Sequence, residues 1–261
     1  MRIFSPFQNV TALGRIVISL AIWTTVLLAW QFLHNPLVPT PGMVLEKVFS
    51  IWVGNEPILG GRPFSQDLTI SLFLTLQGMV YSITIALLIA YLSVIPAFKP
   101  IGEFAVRFRY MAMTGLIFLF MLLTKDGSQL KTALLVIGIV PFFVTSLLAT
   151  IEDIPTEEYD LCRTLRMGDW QVLYETIIRG RMSAALDAII VNFAVAWMMI
   201  TSVESLSQSE GGLGTLILKF NKAHDIAAVF AVMINIFVLG LAVDKFLKYA
   251  KGVFFPHTKF K

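Results

Sequence analysis

Residues Glu152–Ala184 read EDIPTEEYDLCRTLRMGDWQVLYETIIRGRMSA, a charged insert between two long apolar segments. The pattern is two short helices joined at Gly168. Pro155 and Thr156 open the first, with Thr156 as its candidate N-cap. Glu157 and Glu158 follow in the first turn, where the positive end of the helix dipole favours carboxylates. Leu161 and Leu165 sit at i, i+4 and share one face. Arg166-Met167-Gly168 ends this helix, and Asp169 can cap the second, in which Trp170, Leu173, Tyr174 and Ile177 recur at the helical period. Such a hairpin can lie on a membrane surface as a connector or dock another protein, and its pattern alone leaves both open.

The chain on either side supplies the setting. Of 261 residues 57% are hydrophobic and only 14% charged, with a mean hydropathy of +0.78, values of a polytopic membrane protein rather than a soluble domain. Six segments are long enough, or nearly so, to cross a bilayer: Ile16 to Leu33, Leu68 to Ile95, Tyr110 to Leu123, Thr132 to Thr150, Ala185 to Ser202 and Ile226 to Val243. The expected fold is all-α, a single transmembrane domain over residues 1–261 with six transmembrane helices. Of the 20 lysines and arginines, only Lys47, Arg62, Lys125, Lys131, Lys219 and Lys222 fall on the side opposite the hairpin. The positive-inside rule therefore puts the hairpin and both termini in the cytosol. The first span is longer than a signal-peptide core, and no small-x-small pattern follows at Gln31-Phe32-Leu33, so it is expected to stay in the chain.

Several functions are disfavoured. The net charge of +3 is accounted for by topology and points to no nucleic-acid partner. Cys162 is the single cysteine, which excludes an internal disulfide, and His34, His224 and His257 are far apart in sequence, so no metal site is expected. The chain has no G-x-x-x-x-G-K-[ST] motif, indeed no Gly-Lys dipeptide, so no ATP site, cofactor or catalytic residue is assigned. Apart from Asp187 at the edge of the fifth span, no Asp, Glu, Lys, Arg or His falls inside an expected span, whereas ion-driven carriers keep such groups at mid-membrane. Energy for any movement has to come from elsewhere.

On the outer side, Pro36, Pro39, Pro41 and Gly42 break the chain at the start of an amphipathic segment, residues 42–53. A second outer insert, Val203 to Asp225, holds Glu204, Glu210 and Gly211-Gly212-Leu213-Gly214, a glycine cluster whose G-x-G-x-x-G spacing fails at Ile217 and which reads as a tight turn. In the fifth span Asn192, Trp197, Thr201 and Ser202 are candidates to line a path, with an interhelical hydrogen bond and core packing as the other readings of Asn192 and Trp197. Residues 245–261 form a basic cytosolic tail.

The hairpin resembles the coupling loop of binding-protein-dependent ABC importer permeases, whose pattern is E-A-A, three residues, G, nine residues, then I-x-L-P. Asp160-Leu161-Cys162 stands at E-A-A, Arg163-Thr164-Leu165 follows, Arg166 takes the glycine position and Thr176-Ile177-Ile178-Arg179 that of I-x-L-P. The resemblance extends along most of the chain and is nearest the nitrate, sulfonate and taurine branch. Pro41 to Leu45 resembles P-x-x-V-L, and Ser71-Leu72 with Gly78 resembles S-L-x-R-x-x-x-G with Leu74 at the arginine. Gly127 and Lys131 match part of G-x-G-x-x-S-K, with Lys125 at the first glycine and Leu130 at the serine. Pro141, Glu204 with Gly212-Leu213-Gly214, and Asp244 with Pro256 fall where the family has similar residues.

The resemblance implies a type I ABC importer permease fold in a bacterial-type cytoplasmic (inner) membrane. Two permeases, identical or related, would enclose a path for a small solute, such as nitrate, a sulfonate, taurine or a similar anion. Separate cytosolic ATPase subunits would dock on coupling helices 156–178 through Asp160, Leu161, Cys162, Arg163, Leu165, Arg166 and Gly168, and an extracytoplasmic solute-binding protein would deliver the solute. Glu204, Gly212 and Gly214 would form the outer gate or the contact with that binding protein. Arg166 and Arg179 could meet an acidic ATPase groove or anionic lipid headgroups. A non-transporting scaffold derived from the same fold is the alternative, since the hairpin identities are degenerate.

Overall fold

The computed structural model describes residues 12–32, 38–54, 56–111, 113–124, 126–207 and 211–255. Arg2, His34, Pro36, Lys125, Glu210, Pro256, His257, Lys259 and Lys261 lie outside them. Every regular element among the described residues is helical. Five helices are long and apolar enough to cross a membrane: α1 (Ala12–Gln31), α3 (Phe64–Leu92), α6 (Gly127–Glu152), α9 (Met182–Leu206) and α11 (Ile226–Phe254). At about 1.5 Å per residue their 20 to 29 residues match or exceed a hydrocarbon core of about 30 Å.

The third expected span, Tyr110 to Leu123, takes a different form. Helix α4 (Lys99–Arg107) ends in a short turn through Tyr110, and α5 (Met113–Leu123) leaves at 115° to it. With 11 residues α5 reaches only about 16 Å, so the crossings number five, or six if the bent pair is one.

Helix α6 occupies the centre, packed on α3, α9, α4 and α5. Leu135, Ile139, Phe143 and Val144 are fully enclosed there. Close approach depends on small residues: Gly78 of α3 lies directly against the Leu135 side chain of α6, so that a Cβ there would collide with it. Helix α11 packs on α9, on α10 (Leu213–Lys222) and on the amphipathic α2 (Pro41–Val53). Helix α1 touches little except α2.

Helix α2 is pinned to α11 by two polar links. Lys47 pairs with Glu56 and with Asp225, the N-cap of α11, each at 2.9 Å, and the Trp52 indole donates to Asn235 Oδ1 at 2.8 Å. The hydrogen bonds to Asp225 and Glu56 outweigh burial and raise the Lys47 pKa above its usual 10.5. Burial pushes Asp225 upward, but Lys47 and the Ala228 N–H more than offset it and hold its pKa below 3.8.

Candidate functional site

Two regions, at opposite ends of α9, carry the residues with functional promise. The first is the hairpin. Helix α7 runs Thr156–Thr164, one residue earlier than the sequence pattern indicates, with Pro155 rather than Thr156 at the N-cap. Its C-terminus is a Schellman turn: Met167 N–H donates to Cys162 O at 3.2 Å and Arg166 N–H to Arg163 O at 2.9 Å. Arg166 occupies the left-handed position of that turn, at φ 53°. That backbone state suits glycine and costs an L-residue about 1 kcal/mol or more. The turn therefore takes the left-handed geometry with an arginine, not a glycine, at that position.

Beyond the turn, Gly168 caps α8 (Asp169–Val172), its N–H donating to Gln171 Oε1, so Asp169 lies inside the first turn and does not cap it. From Leu173 to Arg179 the chain winds as a π-helix, with more residues per turn than the 3.6 read from sequence. The expected stripe consequently splits: Ile177 is buried while Trp170 and Tyr174 face outward. Leu161 on α7 and Leu165, its C-cap, are 62% and 63% exposed. Asp160, Arg163 and Arg166 are exposed around them, and Gly168 is exposed at the joint. Cys162 turns inward and contacts Thr176 Oγ1 at 3.4 Å. Arg181, the residue preceding α9, donates to Glu158 at 2.8 Å and ties α7 to the base of that helix.

The second region lies at the far end of α9, about 33 Å away at 1.5 Å per residue. Glu204 is 0% exposed. Its two oxygens accept from Ser71 Oγ at 2.7 Å and from Gly214 N–H at 2.9 Å. Asp67 accepts from Gly212 N–H at 2.9 Å, Ser71 Oγ also accepts from Leu213 N–H at 2.8 Å, and Lys131, 0% exposed, donates to Gly211 O at 3.1 Å. The free N–H groups at the start of α10 are thus held by side chains of α3 and α9, a carboxylate-lined clamp on a helix N-terminus. Gly212, at φ 110°, and Gly214 are both required: a Cβ on the first would strike the Glu204 carboxylate, and on the second the Thr201 carbonyl.

The clamp corrects the expectation that the spans hold no Asp, Glu, Lys, Arg or His except Asp187. Helices α3, α6 and α9 continue beyond the apolar windows at Leu68, Thr132 and Ser202, and carry Asp67, Lys131 and Glu204 into the buried end of the bundle. Lys131 in particular belongs to a helix rather than to a loop. Asp187 is exposed and pairs with Lys251.

Residues 68–251 match the family described as binding-protein-dependent transport system inner membrane component. The chain belongs to this family. It is also 22% identical to a Methanocaldococcus jannaschii protein named "putative ABC transporter permease protein", over 94% of this chain and 93% of that one. A multi-pass, membrane-embedded ABC transporter permease accounts for the helical bundle, and permeases of this class work with ATPase and other ABC subunits.

Within the permease, the α9 residues read as path-lining have defined surroundings. Asn192 is buried and donates to Ser146 Oγ at 2.9 Å and Ala188 O at 2.7 Å. Trp197 is buried, donates to Ile236 O at 2.9 Å and stacks on Phe193. Thr201 bonds back to Met198 O, and Ser202 is exposed. Sequence reading missed Asp67 altogether and gave Ser71 and Lys131 no contact. The signal available was Asp67 and Ser71 at i, i+4 on one face of α3.

Proposed function

We propose that this chain is the transmembrane permease subunit of an ABC importer. With a second permease, another copy or a close relative, it encloses a path for a small solute, and a separate ATPase subunit docks on its hairpin. The hairpin and both termini then face the cytosol. The clamp and α2 face outward, toward a solute-binding protein, and the membrane is a bacterial-type cytoplasmic (inner) membrane. The chain brings no ATP site of its own.

The observation that carries this proposal is an exposed apolar pair on a tethered helix. Leu161 and Leu165 project from α7, and α7 is ionically bonded through Glu158 to Arg181 at the foot of a 25-residue helix. Leu161 and Leu165 are the anchors for an ATPase groove, with Asp160, Arg163 and Arg166 at its rim, Cys162 tying the helix back to its hairpin and Gly168 at the joint. Movement of α7 as the ATPases close is passed along α9 to the turn held by Glu204, Gly212 and Gly214, which serves as the outer gate in alternating access. Retention of the left-handed turn at Arg166 supports an importer over a scaffold that has lost coupling.

A small anion is what the branch resemblance implies for the solute. Lys47 is engaged by Glu56 and Asp225, and Lys131 by Gly211, so that part of the proposal rests on resemblance alone.

Tagged chain recovered from membranes should carry an ATPase with it. Replacing Leu161 or Leu165 with Asp should abolish ATP-driven uptake in reconstituted vesicles while the protein stays in the membrane. Undiminished uptake in both variants would rule out the lever.

A further inference from the structure

Two grooves of similar size flank the bundle, and their linings differ in kind. One, of about 400 Å³ between α9 and α11, is walled by Phe193, Trp197, Met233 and Phe237 and is almost wholly apolar. The other, of about 500 Å³ between α3 and the first turns of α6, presents Gln77, Tyr81, Ser128, Gln129 and Thr132 beside Ile85, Val136 and Ile137. Gln77 is half-buried, 13 residues into the 29 of α3, which sets its amide roughly 20 Å along the helix and near mid-membrane. The amide reaches the Tyr81 hydroxyl at 3.5 Å, the long limit of a hydrogen bond. A primary amide so placed is costly against lipid, because hydrocarbon offers neither donor nor acceptor.

We infer that this α3–α6 groove is a water-filled, solute-facing wall of the path, and that it recognises a small uncharged solute rich in hydroxyl or amide groups. The inference rests on the permease proposal and replaces its anion, which rested on resemblance alone, with an uncharged solute. Gln77, Gln129, Tyr81, Ser128 and Thr132 supply donors and acceptors together, which suits a ligand that both gives and takes hydrogen bonds. Among the described residues, no charged side chain lines the groove. Lys131, although on α6, is fully buried and bonded to Gly211 O. A full negative charge at the depth of Gln77 meets no countercharge there, and a desolvated ion without one is strongly disfavoured.

Cysteine scanning tests both parts. Gln77→Cys and Thr132→Cys, with the near-isosteric Ser128→Cys in case either fails to insert, are labelled in intact cells by membrane-impermeant methanethiosulfonates, with Phe73→Cys and Leu76→Cys as apolar-face controls on α3. The wild-type chain with Cys162 in place gives the background. The groove positions should react about tenfold or more faster than the controls, since a thiol needs water to ionise. Equal, slow labelling at all positions overturns the groove. Cationic and anionic reagents should show the same rate ratio in the groove as with free cysteine. An excess of the anionic reagent by about tenfold or more marks a field that gathers anions and overturns the uncharged-solute assignment. ATPase co-purification is measured on the same cells. Its loss from the wild type sinks the permease proposal, whereas unlabelled cysteines in a chain that keeps its ATPase sink the groove alone.

Discussion

The two ends of α9 are built on opposite principles. At the far end, Asp67, Lys131 and Glu204 are buried and hydrogen-bonded to one turn, so the groups are spent on each other. At the hairpin end, Leu161, Leu165, Trp170 and Tyr174 are large, apolar and exposed, and beside the Arg181–Glu158 tether the charged groups make surface pairs such as Arg163–Asp160 at 3.7 Å. A buried polar network fixes a geometry, whereas an exposed apolar edge invites a partner. One end of the rod is fastened and the other is offered.

Substitutions that separate stability from transport test this contrast. The largest loss is expected at Glu204. Glu204→Leu strips Ser71 and Gly214 of their acceptor and removes a buried carboxylate that Lys131 stabilises, and should cost about 3 kcal/mol or more, read as a lowered melting temperature in detergent. Glu204→Gln keeps one acceptor oxygen and should cost about 1–2 kcal/mol. Gly214→Ala drives a methyl into the Thr201 carbonyl, for about 1–3 kcal/mol in the same assay. At the hairpin the sign reverses: Arg166→Gly relieves the left-handed strain and should stabilise by up to about 1 kcal/mol, less what glycine loses by its freer unfolded chain.

A smaller effect is expected from the α2 tether. Asp225 has a lowered pKa, so its contribution is present above pH 3.8 and disappears as pH falls through the lower folded value. Lys47 has a raised pKa, so its contribution holds below pH 10.5 and disappears as pH rises through the higher folded value. Both groups are partly solvated, which limits the pair to about 1 kcal/mol. Melting curves across pH should show these shoulders in the wild type and lose them in Lys47→Met. Smallest of all, Leu161→Asp and Leu165→Asp should move the melting temperature hardly at all, within about 0.5 kcal/mol, because they change exposed positions. A large destabilisation there would mean that the pair is structural, and the contrast between the ends would fail.

What could be read from sequence follows the range of the interactions. The hairpin was legible because its signals are local: Pro155, the carboxylates at 157 and 158, and Leu161 with Leu165 one turn on. Its finer shape was not, since the π-helix redistributes Trp170, Tyr174 and Ile177. The left-handed turn was hidden because an arginine, not a glycine, stands at its left-handed position. The clamp was illegible for a different reason. It joins Asp67 and Ser71 to residues 133 to 145 positions away, and a hydropathy window stops at the first charge although the helix does not. The bend before α5 likewise escaped, because an apolar run of the right composition says nothing about how few residues remain in line.

The most direct measurement is photo-crosslinking from position 165 or 166 in native membranes, with the adducts identified by mass. The account predicts a covalent product with a nucleotide-hydrolysing subunit, lost when Leu161 is Asp. Adducts with lipid alone, from a chain that still imports its solute, would contradict it.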